Sequence, residues 1–206
     1  MHVKNKDHWY DGLFYDIVIA PNQDKSFHQV KKIIEPDSTL LDAGCGTGRL
    51  AFQIADKCSN VDALDLSLRN INLANKKLSK TSHANITFIH ADIINHLNEK
   101  KYIYDYAVLS YVIHEIDESL REQILKALAK SAKKIILIDY LTPRTKGMWS
   151  LLNEIVEYAA GKEHYSNFKS YVASDGIEGL SKRSGLKIIK EIKNNPATSH
   201  IAVLSK

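Results

Sequence analysis

Residues 40–50 read LLDAGCGTGRL, an apolar run that ends in an aspartate and opens into glycines at 44, 46 and 48. Glycines there let the backbone turn sharply and approach a ligand, and the carboxyl end of a strand is where open α/β sheets bind one. The spacing predicts a strand over 39–43, then a helix whose one face carries Leu50, Ala51, Ile54 and Ala55. Upstream, Phe27, Val30, Ile33 and Ile34 fall at helical spacing over 24–34, and Pro36 stops that helix. Downstream the alternation repeats. A strand over 61–66 leads to Ser67 as a cap and to Leu68, Ile71, Ala74 and Leu78 as the buried face of a helix. A strand over 86–90 precedes a short helical piece around Ile93, Ile94 and Leu97, and a fourth strand covers 106–109. Asp117 caps a helix with inner residues Leu120, Ile124, Leu125 and Leu128, and a fifth strand covers 135–140.

Strands that alternate with helices need helical crossovers, and these give a parallel sheet covered on both faces. The end of the chain differs: 186–192 and 200–204 are separated only by turn residues, which suits an antiparallel hairpin. The expected fold is therefore α/β, a doubly wound, mostly parallel seven-stranded sheet with helices on both faces and a C-terminal antiparallel hairpin. One domain is expected over 1–206, with 1–35 as an amino-terminal lid and helix. Residues 143–174 read as an insertion in which Trp149, Leu152, Ile155, Val156 and Ala159 line a helix ended by Gly161, followed by HYSNFKSY.

Composition narrows the function. With 44% apolar and 25% charged residues over 206 positions, the chain has the mix of a soluble globular protein. The net charge of +4 does not demand an acidic partner, and Lys76, Lys77, Lys80, Lys130, Lys133 and Lys134 read as solvated helix faces rather than a nucleic-acid groove. Two cysteines build no disulfide framework and fit a reducing, cytoplasmic setting. The start, MHVKNKDHWYDG, has no apolar signal core, and no apolar run spans a bilayer, so no membrane insertion is expected.

The glycine spacing separates ligand classes. A dinucleotide fingerprint wants its third glycine where Arg49 stands, and a phosphate loop wants Gly-Lys-Ser/Thr, which is absent. Asp42, two residues before the first glycine, would repel a pyrophosphate and suits a ligand that carries an amino group and a sulfonium. LLDAGCGTG resembles the first motif of the class I S-adenosylmethionine-dependent methyltransferases, an apolar strand, an acidic residue and G-x-G-x-G. The resemblance runs from the opening aromatic segment to the final hairpin.

That resemblance implies S-adenosylmethionine as methyl donor and S-adenosylhomocysteine as product. It places Asp42, Gly44, Cys45 and Gly46 in the donor loop, and Asp65, with Leu66 beside it, on the ribose hydroxyls, where a carboxylate accepts from both. In HADI it puts Asp92 on the adenine amine and the Ile93 amide at a ring nitrogen. SYVIHEI, with Ser110 and Tyr111, becomes the loop under the donor. Asp65 and Asp92 have plainer readings as helix caps or loop carboxylates. Cys45 reads as a small loop residue rather than a nucleophile. Trp9, Tyr10 and Tyr15 read either as an aromatic lid over the donor or as an anchor of the amino terminus.

Methyl transfer is an in-line displacement that depends mainly on holding the acceptor behind the methyl group. His114 is the candidate base, since an unperturbed imidazole is mostly neutral at pH 7; its other reading is a packed residue, with Glu115 orienting it or facing solvent. The loop reads SYVI where enzymes that methylate nucleobase or amide nitrogens resemble Asn/Asp-Pro-Pro-Tyr/Phe, which disfavours those acceptors. Tyr111, Trp149, His164 and Tyr165 are candidate acceptor contacts, or packing residues of the added helix. No ligand signature such as H-E-x-x-H occurs, so no metal is expected. The expected function is methyl transfer to a small molecule. An RNA- or protein-modifying methyltransferase and a noncatalytic donor-binding module are the alternatives, and the oligomeric state is open.

Overall fold

The computed structural model describes residues 23–99, 103–195 and 197–206. Its strands are β1 Ser38–Ala43, β2 Cys58–Asp65, β3 Ile86–His90, β4 Tyr104–Ser110, β5 Ala132–Tyr140, β6 Lys187–Lys193 and β7 Ser199–Ser205. They form a seven-stranded sheet in the order β3-β2-β1-β4-β5-β7-β6. β1 runs parallel to β2 and β4, and β2 to β3, whereas β7 is antiparallel to both β5 and β6. The fold is thus the expected mostly parallel α/β sheet, with β7 running against both of its neighbours. The helices are α1 Asp24–Ile33, α2 Arg49–Ile54, α3 Leu68–Leu78, α4 Ile93–Glu99, α5 Glu118–Ser131, α6 Met148–Ala159, α7 Lys162–Ala173 and α8 Gly176–Arg183. Among the described residues, no helix is long and apolar enough to cross a membrane.

Among the described residues the chain forms two compact units, one running to Val108 and taking in Ser131–Lys133, the other of Leu109–Lys130 with the residues from Lys134 on. In the first, the β1 and β2 residues Leu40, Leu41, Val61, Ala63 and Leu64 are fully buried. Near-continuous apolar runs of this kind are what strands covered on both faces require. Asp62 is buried among them because Tyr104 donates its hydroxyl to Oδ2 at 2.7 Å. α1 docks through Phe27 and Val30, and Asp24 fixes it further by accepting from Arg49 Nε and Nη2, both at 2.6 Å. Ser67 caps α3 by accepting from the Asn70 amide. Ile71 and Ala74 of α3 are buried as expected, but Leu68 is 44% exposed, since it occupies the first turn.

In the second unit, β5 and β7 bury Ile135–Ile138 and Ile201–Leu204. The inner face of α5 is turned from the one expected. Ile124, Leu125 and Leu128 are buried, but Leu120 is 42% exposed and Arg121 is buried beside them at 1%. Arg121 pulls the helix round. Its Nε donates to the Ile116 carbonyl at 2.9 Å, and its Nη2 to the Asn167 carbonyl at 2.6 Å and to Ser170 Oγ at 2.9 Å. β6, last in the sheet order, reads KIIKEIK and carries a bulge between Ile188 and Lys190. The helix predicted inside the insertion exists as α6, and HYSNFKSY folds as most of α7.

Candidate functional site

The first unit holds the glycine loop. The amides of Gly44 and Cys45 both donate to the Leu64 carbonyl at 2.8 Å, and Gly48 donates to the Cys45 carbonyl at 2.9 Å. This curl needs the left-handed backbone of Gly44, Gly46 and Gly48, at φ of 79°, 55° and 82°. A Cβ on Gly48 would lie 2.4 Å from the Phe88 ring, whereas one on Gly46 would meet nothing within 4 Å. So Gly48 is required by packing as well as by conformation, and Gly46 leaves open space beside the loop.

Asp42 is fully buried, and neither carboxylate oxygen has a hydrogen-bond partner among the described residues. Burial, and then the charge of Asp65, push its carboxyl up to about 7; the backbone of Ala51 opposes this only in part. Asp65 is differently placed. Its Oδ2 accepts from the Gly46 amide and its Oδ1 from the Ser67 amide, both at 2.7 Å. The loop residue Cys45 is buried, and burial, then Asp65 and Asp42, push its thiol well up, which keeps it uncharged and unreactive. The Leu66 carbonyl lies 2.9 Å from His90 Nε2. Asp92 accepts from the Asn95 amide at 3.0 Å, as a cap of α4 does, and Ile93 is buried behind it. Tyr15, Trp9 and Tyr10 lie outside the described residues.

In the second unit, Ser110 ends β4, and Tyr111 follows in the left-handed region at φ 56°. The Tyr111 hydroxyl lies 3.1 Å from Ser199 Oγ, so it is engaged with β7. His114 is buried, and Nδ1 lies 2.7 Å from Asp139 Oδ1 while Nε2 lies 3.5 Å from Glu157 Oε2. The same Glu157 oxygen is 2.5 Å from His164 Nε2, and Glu157 Oε1 accepts from the Tyr140 hydroxyl at 2.6 Å. Glu115 Oε1 stands 3.9 Å from both Nε2 atoms. The structure therefore gathers His114 and His164, fifty residues apart in sequence, around Glu157. Tyr165 and Trp149 are not in this cluster: Tyr165 donates to Glu154 Oε1 at 2.8 Å, and Trp149 is 56% exposed on α6.

These contacts mean that the His114 ring is not an unperturbed imidazole. Burial works against its charge, but Asp139 and Glu157 outweigh that and raise it well above the usual imidazole range. Glu157 moves the opposite way, as a partner should: burial pushes it up, and His114, His164 and Tyr140 hold it well below the usual carboxylate range. Glu115 is pushed up to about 7, chiefly by burial and further by Glu157 and Asp139, against the pull of the two histidines. Tyr140 is pushed up by burial and by Glu157.

Asp139, Tyr140 and Glu157 escaped the sequence reading. Asp139 had a signal, a lone carboxylate in the apolar run IILIDY, which a buried strand tolerates only with a partner. Glu157 had none, because the periodicity of α6 points to the opposite face. Trp149, Leu152, Ile155 and Val156 are all at least 44% exposed, while Ser150 and Glu157 are buried. The helix turns its polar side inward because Glu157 finds three donors there.

The glycine loop, with an acidic residue in β1 and another ending β2, lies in an α/β fold similar to that of solved methyltransferases. Residues 40–134 match the family model described as a methyltransferase domain. The chain is 30% identical over 129 residues to the malonyl-[acyl-carrier protein] O-methyltransferase of Halalkalibacterium halodurans, covering 57% of this chain and 45% of that one. It is 28% identical over 100 residues to an uncharacterised RNA methyltransferase of Mycoplasma mobile, covering 48% of this chain and 28% of that one. The chain thus spans less than half the length of either relative. Among solved structures, the N-methyltransferase NodS of Bradyrhizobium japonicum superposes with a TM-score of 0.65 at 14% identity, over 92% of this chain and 90% of that one.

Proposed function

We propose that the protein transfers a methyl group from S-adenosylmethionine to a small-molecule acceptor, in the cytosol. The observation that carries the donor is Asp42, a buried carboxylate whose two oxygens have no hydrogen-bond partner among the described residues. Such a group costs several kcal/mol by order of magnitude unless a cation meets it, so the loop is built for a positively charged ligand rather than a polyphosphate. Asp42, Gly44 and Gly46 would hold the amino acid part, the Asp65 carboxylate the ribose hydroxyls, and Asp92 and Ile93 the adenine, with Leu66 and Ser110 alongside. S-adenosylmethionine supplies an electrophilic methyl group on sulfur that an acceptor atom displaces in line.

For the acceptor we assign His114, Tyr111 and His164 in the second unit, with Glu157 and Tyr140 as their supports. The Nδ1 of His114 is committed to Asp139 and its Nε2 faces Glu157, so His114 serves by orienting an acceptor oxygen or nitrogen rather than by deprotonating it. The small-molecule reading is supported by the SYVI loop and by lysines tied down locally: Lys77 donates to Thr47 Oγ1 and Lys133 to Asp105 Oδ1. RNA methylation is the second reading, favoured by the Mycoplasma relative. Labelled S-adenosylmethionine, incubated with the protein and either a fractionated metabolite extract or total RNA, separates them. Label in the metabolite fraction is expected. Label in RNA alone selects the second reading, and donor binding without any product selects a noncatalytic module.

A further inference from the structure

His114, Glu115, Glu157 and His164 place two imidazole nitrogens and two carboxylates around one point of the second unit. One ligand atom each from His114, Glu115 and His164 lies within 4.8 Å of the others. Glu157 Oε2 approaches both Nε2 atoms, at 3.5 and 2.5 Å, and Glu115 Oε1 stands 3.9 Å from each. Ligand atoms bound at roughly 2.1 Å to one ion sit about 3 to 3.5 Å apart, so each of these four separations needs to change by no more than about 1 Å. Three of the four side chains are at least nine-tenths buried, and only Glu115, at 34%, reaches solvent.

We propose that these four side chains bind one divalent first-row transition-metal ion, through Nε2 of both histidines and a carboxylate oxygen of each glutamate. The surroundings fit that role. Asp139 Oδ1 accepts from His114 Nδ1 at 2.7 Å, which leaves Nε2 as the coordinating nitrogen, and a carboxylate behind a histidine is the usual outer support of such a ligand. Tyr140 pins the other Glu157 oxygen at 2.6 Å. Three carboxylates, Glu115, Asp139 and Glu157, share this space with two imidazoles, so an ion of charge +2 offsets the same negative charge that two imidazolium protons would. The ion would replace the protons now held between nitrogen and carboxylate, which pass to solvent. Two nitrogens and no thiolate favour zinc or cobalt over magnesium or calcium, which take oxygen ligands. The ion would tie the loop after β4 to α6 and α7.

The sequence expectation of no metal rested on linear spacing, and this set is dispersed over the loop after β4, α6 and α7. The test is independent of methyl transfer. The untagged full-length chain, stripped with a chelator and passed down a desalting column, is titrated with cobalt(II) and followed by visible d–d absorption, with elemental analysis of what remains bound. One equivalent per chain is expected, with an intensified four-coordinate spectrum that zinc(II) abolishes by competition. Asp139→Asn should weaken binding roughly 10- to 100-fold, and His164→Gln by more. Zinc(II) should raise the thermal midpoint of the wild type and not that of His164→Gln. Should His164→Gln fail to fold, Glu115→Gln, at the partly exposed ligand, carries the comparison. No retained cobalt on the folded wild type, or retention unchanged in a folded ligand variant, overturns the proposal and leaves a proton-bridged cluster.

Discussion

The charge of Asp65 helps hold a proton on Asp42. The two carboxylates lie on adjacent parallel strands, Asp42 opposite Ala63 in the pairing and Asp65 at the end of β2. Asp65 accepts from the Gly46 and Ser67 amides, whereas neither oxygen of Asp42 has a hydrogen-bond partner among the described residues. Donor recognition is thereby coupled to protonation at one buried residue.

A pH dependence follows. Free Asp42 has its carboxyl near 7 in the folded chain against an ordinary 3.8. Below the lower value it is protonated in both folded and unfolded states and costs nothing. As pH rises through about 7 the folded state must accept a buried charge, and the stabilisation is lost. Chemical denaturation of the ligand-free protein should therefore show Asp42→Asn more stable than wild type at pH 8 and the gap closing in acid. S-adenosylhomocysteine affinity should rise with pH toward 7, by at most about tenfold per unit, and become flat in Asp42→Asn. A flat wild-type profile by calorimetry would remove the amino group from Asp42.

At Asp65, truncation removes the ribose acceptor together with the two loop contacts. Asp65→Ala should weaken S-adenosylhomocysteine by about 1.5 to 3 kcal/mol, the scale of hydrogen bonds to a charged group. An unchanged dissociation constant in a folded variant takes Asp65 off the ribose.

Gly48→Ala sets conformational strain against packing. Its φ of 82° disfavours any side chain, and the new Cβ would lie 2.4 Å from Phe88 Cζ. A loss of about 2 to 4 kcal/mol in unfolding free energy is expected from left-handed strain and overpacking together. Gly46→Ala, with open space around it, should lose only the conformational part, about 1 to 2 kcal/mol. Equal losses in denaturant melts would show that Phe88 moves aside.

Arg121→Met tests the polar anchor of the second unit. The substitution keeps most of the buried volume but strips donors from the Ile116 and Asn167 carbonyls and from Ser170. A destabilisation of about 3 kcal/mol is expected in urea titration. A variant as stable as wild type would mean those carbonyls find water.

The order of strands and helices was legible because each apolar run has the length and period of one element. Ile86–His90 and Leu68–Leu78 fall where the periodicity puts them. The donor loop was legible for a related reason, since its glycines and acids are local in sequence. The second-unit cluster was not. Leu120 and the apolar side of α6 read as core because periodicity measures oiliness around a helix, not which side a buried ion pair claims. Arg121 and Glu157 decided those rotations in part through distant partners, Asn167 and Ser170 for the one and His114 for the other, and no local window contains both ends of such a contact.

The strand that closes the sheet order, β6, carries Lys187, Lys190 and Lys193 on seven residues and bulges between Ile188 and Lys190. A foreign strand seeking to extend the ladder would have to strip water from a row of ammonium groups and match a broken register. The unpaired backbone of that edge is therefore a poor template for fibril growth, although Ile188, Ile189 and Ile192 alone would make it a good one. Replacing the three lysines by threonine would leave the fold's interior untouched and remove the barrier to self-association.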